Sequence, residues 1–188
     1  MARIYTLGHS TRGIDEFLAL LHDHGIVCVV DVRRFPTSKR YPHFAKQALQ
    51  ASLGAAGMEY THEPDMGGYR KPRPDSPNTA WRVAGFRGYA DHMDTAEFRA
   101  ALERLIERAR RAPTAIMCAE ATHRRCHRQL ISDALVARGF EVTHILGLGR
   151  TQPHALNPAA RVLDDFRLTY PEPPPDQISL LPDAEPSA

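Results

Sequence analysis

Thr114-Ala115-Ile116-Met117-Cys118-Ala119-Glu120-Ala121-Thr122-His123-Arg124-Arg125-Cys126-His127-Arg128-Gln129-Leu130-Ile131-Ser132-Asp133-Ala134-Leu135 reads as strand, polar turn and helix in succession. The first residues are a short apolar run. The last carry apolar side chains at helical spacing, with Leu130, Ile131, Ala134 and Leu135 on one face. Between them lie two thiols, a carboxylate, two imidazoles and three guanidinium groups. Reactive groups at a strand-to-helix turn are typical of α/β proteins, which bind ligands beyond the carboxyl ends of their strands.

The same alternation extends outward. Arg3 to Gly8 reads as a strand, followed by a helix with Ile14, Phe17, Leu18 and Leu21 on one face and Gly25 at its end. Ile26 to Val32 is an apolar run broken by Asp31, as a parallel strand buried on both faces requires. Lys46 to Ala56 reads as a second helix and Met58 to His62 as a third strand. Phe86 to Met93 and Thr95 to Arg111 read as helices, the latter capped by Thr95. Thr114 to Ala119 gives the fourth strand, Thr122 to Arg138 a helix with Thr122 as its cap, and Glu141 to Leu146 the fifth strand. The expected fold class is α/β, a Rossmann-like three-layer domain with a mostly parallel sheet of about five strands. It spans 1–170 as a single domain, and 171–188 is an acidic, proline-rich tail expected to be disordered.

Composition sets outer bounds. The 188 residues are 43% apolar and 24% charged, as in an ordinary globular protein. No run approaches the roughly 18 apolar residues of a membrane span. The N-terminal residues lack a signal peptide's apolar centre, so a cytoplasmic location without membrane contact is expected. Three cysteines do not make a secreted disulfide framework. The net charge of +2 conceals an asymmetry: Asp164 to Ala188 carry −5, leaving +7 on the rest. Basic stretches run over 33–46, with Arg33, Arg34, Lys39, Arg40 and Lys46, and over 66–88, opposed there only by Asp75. A basic body suits an anionic small molecule or nucleic acid, although a solvated surface has the same look. The long segment from Glu63 to Gly85, with Gly67-Gly68 and the only tryptophan, Trp81, reads as a cover over the site or a surface excursion.

Three strands end in polar groups: Gly8-His9-Ser10, Asp31-Val32-Arg33 and Cys118-Ala119-Glu120. Parallel strands bring these ends to one edge of the sheet. Cys126 and His127 face the sheet at the start of the following helix, where a thiol pKa falls and anions are favoured. Arg128 beside them can grip a carboxylate or phosphate. Glu120 reads as a buried carboxylate, with Arg128 or Arg33 as its partner. Cys28 reads as core. Known motifs fail. Gly8 to Gly13 lacks the lysine of a phosphate-binding loop, and Gly147-Leu148-Gly149 lacks a third glycine. Cys118 and Arg124 have the spacing of cysteine phosphatases, but Glu120 between them repels a phosphate. Cys118, Cys126, His127 and His9 suit zinc in type but not in spacing, and a Cys118–Cys126 redox pair lacks the Cys-x-x-Cys spacing.

Thr6-Leu7-Gly8-His9-Ser10, Asp31-Val32-Arg33-Arg34-Phe35-Pro36, Gly67-Gly68, Cys118-Ala119-Glu120 and Cys126-His127-Arg128 together resemble the family known as domain of unknown function 488. The resemblance runs from the N-terminus through His144-Ile145 to about Tyr170, with Thr122-His123 standing where the family often has Asp-Pro. It implies a Rossmann-like domain, no particular activity, and a site built from His9, Asp31, Arg33, Cys118, Glu120, Cys126, His127 and Arg128.

The leading reading is an enzyme, hydrolase- or glycosidase-like, acting on a phosphate-containing nucleotide or nucleic acid. Its catalytic candidates are Glu120 as acid/base, His9 and His127 as orienting or proton-shuttling groups, and Cys118 as a covalent nucleophile. Ser10, Asp31, Arg33, Cys126 and Arg128 are candidates for substrate binding. No metal or cofactor is assigned. A non-catalytic nucleotide- or nucleic-acid-binding module and a thiol-based metal or redox protein are the alternatives.

Overall fold

The computed structural model describes residues 3–172. The tail residues from 173 onward, part of the segment expected to be disordered, lie outside the described residues. The chain forms β1 (Arg3–Gly8), α1 (Ile14–Asp23), β2 (Cys28–Asp31), α2 (Lys46–Ala55), β3 (Glu59–His62), α3 (Ala84–Met93), α4 (Ala96–Arg111), β4 (Thr114–Cys118), α5 (Arg128–Ala137), β5 (Glu141–Gly147) and β6 (Arg150–Pro153). A two-stranded ribbon, β7 (Arg161–Val162) and β8 (Leu168–Thr169), follows.

The main sheet has the order β3-β2-β4-β1-β5-β6. Its first five strands are parallel and β6 pairs antiparallel with β5. The sixth strand was not expected. It sits at the sheet edge, where Pro153 leaves no ladder bond unmade, and the turn into it depends on Gly149 at φ +62°.

Alternation along the strands builds two cores. Leu7, Val29, Ala115 and Met117 point to one face and pack on α1 and α2 through Phe17, Leu20, Leu21, Leu49 and Leu53. Ile4, Val30, Ile116 and Cys118 point to the other and pack on α3, α4 and α5. The result is a three-layer α/β arrangement. β1 and β4 are neighbours, yet the helices that follow them lie on opposite faces. The chain therefore leaves β1 and β4 toward opposite faces, and a crevice lies above the sheet edge.

Two local expectations change. The helix expected over 122–138 is broken: Thr122 Oγ1 accepts from Arg124 N at 3.3 Å and caps only a 3-10 turn over His123–Arg125. Cys126 is then extended (φ −137°, ψ 146°), and α5 begins at Arg128. Trp81 packs on Tyr170 and Phe86 in the wall of the core, not in a cover over the site. Thr95 caps α4 as expected, accepting from Phe98 N at 3.3 Å. Among the described residues no helix is long and apolar enough to cross a membrane.

Candidate active site

The crevice is a cavity of about 670 Å³. His9, Ser10, Arg33, Cys118, Glu120, Cys126 and His127 line it, so three strand ends and the start of α5 do converge. Asp31 and Arg128, both expected to touch substrate, lie behind its wall.

Gly8 makes the convergence possible. A Cβ there would stand 1.7 Å from the Glu120 carbonyl oxygen, so only glycine lets β1 pass beneath the turn after β4. The two turns are then stitched by His9 N to Cys118 O and Ser10 N to Ala119 O, both 2.9 Å. Ser10 takes φ +51°, uncommon for a residue with a side chain and a form of strain found at functional sites.

The floor is a sulfur pair. Cys118 ends β4 facing α5, and Cys126 precedes α5, so their Sγ atoms meet at 2.9 Å. Arg128 places its backbone N–H and its Nε–H on the Cys126 sulfur, each at 3.4 Å. His127 Nδ1 is 3.7 Å from the same sulfur, while its Nε2–H donates to Val32 O at 2.9 Å. Burial alone would push both thiols up. At Cys126, the hydrogen bond from Cys118 and the charges of His127 and Arg128 outweigh burial and hold it well below the usual thiol range. Cys118 goes the other way, raised by burial and by its bond to Cys126. Burial also opposes charge on His127, but the Cys126 sulfur prevails and raises that imidazole. The one proton of Cys118 has two acceptors, the Cys126 sulfur and the Glu120 carboxylate, whose Oε2 reaches back onto it.

Arg128 accounts for the charge. Its side chain is 1% exposed, and its guanidinium bonds to the Cys126 sulfur, Thr6 Oγ1 and the Glu120 carbonyl. No carboxylate lies within ion-pair distance among the described residues. A buried cation without an anion is costly, and the Cys126 sulfur is the polarisable group that this one faces.

Glu120 differs from expectation. It is exposed at the cavity rim, not buried, and pairs with neither Arg33 nor Arg128 through its carboxylate. Arg33 is instead clamped on Asp31 at 2.9 and 2.6 Å, with Tyr60 donating to the same carboxylate at 2.8 Å. His9 stacks on Phe44 with ring centres 4.2 Å apart and donates its Nδ1–H to Ser10 O at 3.0 Å, leaving Nε2 as acceptor. Burial, with the nearby Arg33 charge, lowers its pKa to about 4, so the ring is neutral at pH 7.

The outer wall carries Arg34, Arg40 and Arg125, none ion-paired among the described residues, together with Phe35 (64% exposed) and Tyr69 (82% exposed). Gly68, from the 63–85 segment, also lines it: a Cβ there would come within 3.1 Å of His127 Nδ1.

Two donor sets are compact enough for a metal, each with ligand atoms within 4.8 Å. In Cys118, Cys126 and His127 a dication would stand against the Arg128 guanidinium. In His123, His144 and His154, the rings of His123 and His144 stack face to face at 3.5 Å and 6°, so their in-plane lone pairs cannot converge on one ion.

A family model described as Domain of unknown function DUF488 matches residues 13–135. The chain belongs to the DUF488 family. The matched span takes in Asp31, Arg33 and every candidate from Cys118 to Arg128, and stops short of His9 and Ser10 on the N-terminal side. Neither the curated proteins nor the solved structures gave a match. In this DUF488 domain a second polar group, made of Thr6, Asp133, His144 and His154, was not singled out from the sequence. Its signal was present: polar residues at inward positions of β1, β5 and α5 demand buried partners.

Proposed function

We propose that the protein is an enzyme acting on a phosphate-bearing, nucleotide-type substrate, with the Cys126 sulfur as its nucleophile. This reverses the expected roles of the two thiols, with Cys118 as proton carrier. The reading rests on one observation: among the described residues the buried Arg128 guanidinium has no carboxylate partner and faces the Cys126 sulfur, at the floor of an arginine-walled cavity. Thiolates, not thiols, attack electrophiles. The Rossmann-like, doubly wound layout supports the placement, because ligands of such sheets bind where neighbouring strands feed opposite faces.

The proposed chemistry is cleavage of a phosphoester or glycosidic bond. Cys126 Sγ bonds to the electrophilic atom as the bond to the leaving oxygen breaks. The Cys118 proton passes through the Glu120 carboxylate to that oxygen. Water then attacks the S-bound group, Glu120 takes the water's proton and returns it to Cys118, and the Cys126 sulfur is released, so one water is consumed per turnover. His9, neutral with Nε2 free, accepts a hydrogen bond from substrate or water. Arg34, Arg40 and Arg125 hold phosphate, while Phe35 and Tyr69 offer faces for a base.

A panel of nucleotides and phosphate esters, incubated with wild type and Cys126→Ala, tests the reading. Turnover by wild type alone, with a mass adduct on Cys126, is expected. Turnover that survives Cys126→Ala, or zinc bound at unit stoichiometry, overturns it.

A further inference from the structure

Behind the cavity floor runs a buried row of polar groups that the proposed chemistry does not touch. Arg128 Nη1 is 3.2 Å from Thr6 Oγ1. Thr6 Oγ1 is 2.7 Å from His144 Nδ1. His144 Nε2 is 3.0 Å from His154 Nδ1, and His154 Nε2 is 2.9 Å from Asp133 Oδ1. Thr6, Asp133, His144 and Arg128 are fully or almost fully buried. The far end is a carboxylate without a guanidinium or ammonium partner among the described residues, where Asp133 otherwise accepts from Asn157 N and Tyr170 OH, both at 2.9 Å. A buried cation therefore stands at one end and a buried carboxylate at the other. A row of dipoles aligned between them offsets the desolvation cost of both.

The ends dictate the direction. Arginine only donates and an ionised carboxylate only accepts. The protons must then run from Arg128 to Thr6, from the Thr6 hydroxyl to His144, from His144 to His154, and from His154 to Asp133. Reversing the row would leave the Thr6 hydroxyl hydrogen without an acceptor in a fully buried place. Both imidazoles are neutral in this arrangement. Burial, with the adjacent imidazoles and Arg128, lowers His144 to about 2, in accord with it. Because arginine keeps its proton, the row delivers no protons to the site. It orients the guanidinium, and that orientation, not the field of Asp133, is what reaches the sulfur.

We propose that Asp133, His154, His144 and Thr6 are positioning residues that hold the Arg128 guanidinium against the Cys126 sulfur and so keep that sulfur anionic. This rests on the reading of Cys126 as a thiolate. The other titratable groups facing that sulfur are Cys118 and Glu120 at the end of β4, His127 before α5, His123 in the 3-10 turn and Tyr89 from α3. None of these side chains is bonded to Thr6, whose hydroxyl, among the described residues, binds Arg128 and His144.

The test is the pH dependence of iodoacetamide alkylation at Cys126 in the full chain, read by peptide mass spectrometry. In wild type the midpoint is expected well below that of a free thiol. Thr6→Val removes the hydroxyl at nearly constant volume and is expected to raise the midpoint by about one pH unit, or about tenfold slower alkylation below it. Asp133→Asn removes the charge that orders the row and is expected to raise the midpoint by less, because loss of a distant negative charge favours the thiolate. Thr6→Ser, which keeps the hydroxyl, is expected to restore the wild-type profile. A row that only stabilised the fold would lower the melting temperature of these variants without moving the midpoint, and that result overturns the proposal while leaving the Cys126 reading intact. A wild-type midpoint at the free-thiol value overturns the Cys126 reading itself. Should Asp133→Asn not fold, the contrast between Thr6→Val and Thr6→Ser decides.

Discussion

Cys118 and Cys126 are one residue type in one cavity, and their neighbours alone divide the labour between them. Cys126 is faced by two N–H groups of Arg128 and by His127, whereas Cys118 is faced by a sulfur, a carboxylate and a single backbone N–H, that of Glu120. Cys126→Ser is therefore expected to abolish turnover. Glu120→Gln is expected to slow it about 10²–10⁴-fold, as loss of an acid/base does. Steady-state assays of the purified variants check both. The sequence showed which residues gather here but misjudged Glu120, since a strand end reads as buried whether or not the next turn lifts the side chain to the rim. Three histidines give a pH prediction. His9, His123 and His144 are held below the ordinary imidazole range chiefly by burial, at about 4, 4 and 2. Below pH 6.5 the unfolded chain takes up protons that the folded one refuses. Stability is thus full above that pH and is lost as pH falls toward 4, at no more than about 1.4 kcal/mol per pH unit for each histidine. Melting curves between pH 7 and pH 4 are expected to show the fall, and a flat profile would contradict the neutral assignments.

At the scale of elements, the apolar spacings foretold which segments are strands and helices, because burial on a sheet leaves a period that side chains cannot hide. What they did not reveal was set by single contacts. The start of α5 was misplaced because the Cys126 sulfur, not a hydroxyl, takes the first helical N–H, and no propensity rule anticipates a sulfur there. β6 went unseen because its turn is Leu148-Gly149, outside the usual hairpin pairs, and its strand ends in proline. The passage of β1 under the β4 turn depends on Gly8. Gly8→Ala is expected to destabilise the fold by about 1–3 kcal/mol, as overpacking does, and to displace Glu120 and Ser10 together. Thr95→Ala, remote from the cavity, is expected to cost about 1 kcal/mol by uncapping α4 while leaving Cys126 alkylation unchanged. Denaturant titrations of the two variants, paired with the alkylation assay, separate damage to the site from loss of stability.

The whole molecule places its charge where its topology opens. The chain leaves β1 and β4 toward opposite faces, the basic stretch over 33–46 supplies Arg34 and Arg40 from one side, and the turn after β4 supplies Arg125 from the other. Of the two basic stretches read from the sequence, that over 33–46 reaches this wall, whereas the bases of 66–88 do not line it. With three arginines on that wall unpaired among the described residues, a short single-stranded oligonucleotide is expected to release counterions on binding, and log K is expected to fall with log salt at a slope of about −2. Replacing Arg34, Arg40 or Arg125 by alanine is expected to flatten the slope by about 0.7 for each residue. Phe35→Ala and Tyr69→Ala are expected to weaken binding without changing the slope, because stacking is neutral and worth about 1–3 kcal/mol per base. Fluorescence anisotropy across a salt series measures both quantities. If the slope is the same in wild type and in the triple arginine variant, the anion does not lie on this wall, and the basic surplus is surface charge alone.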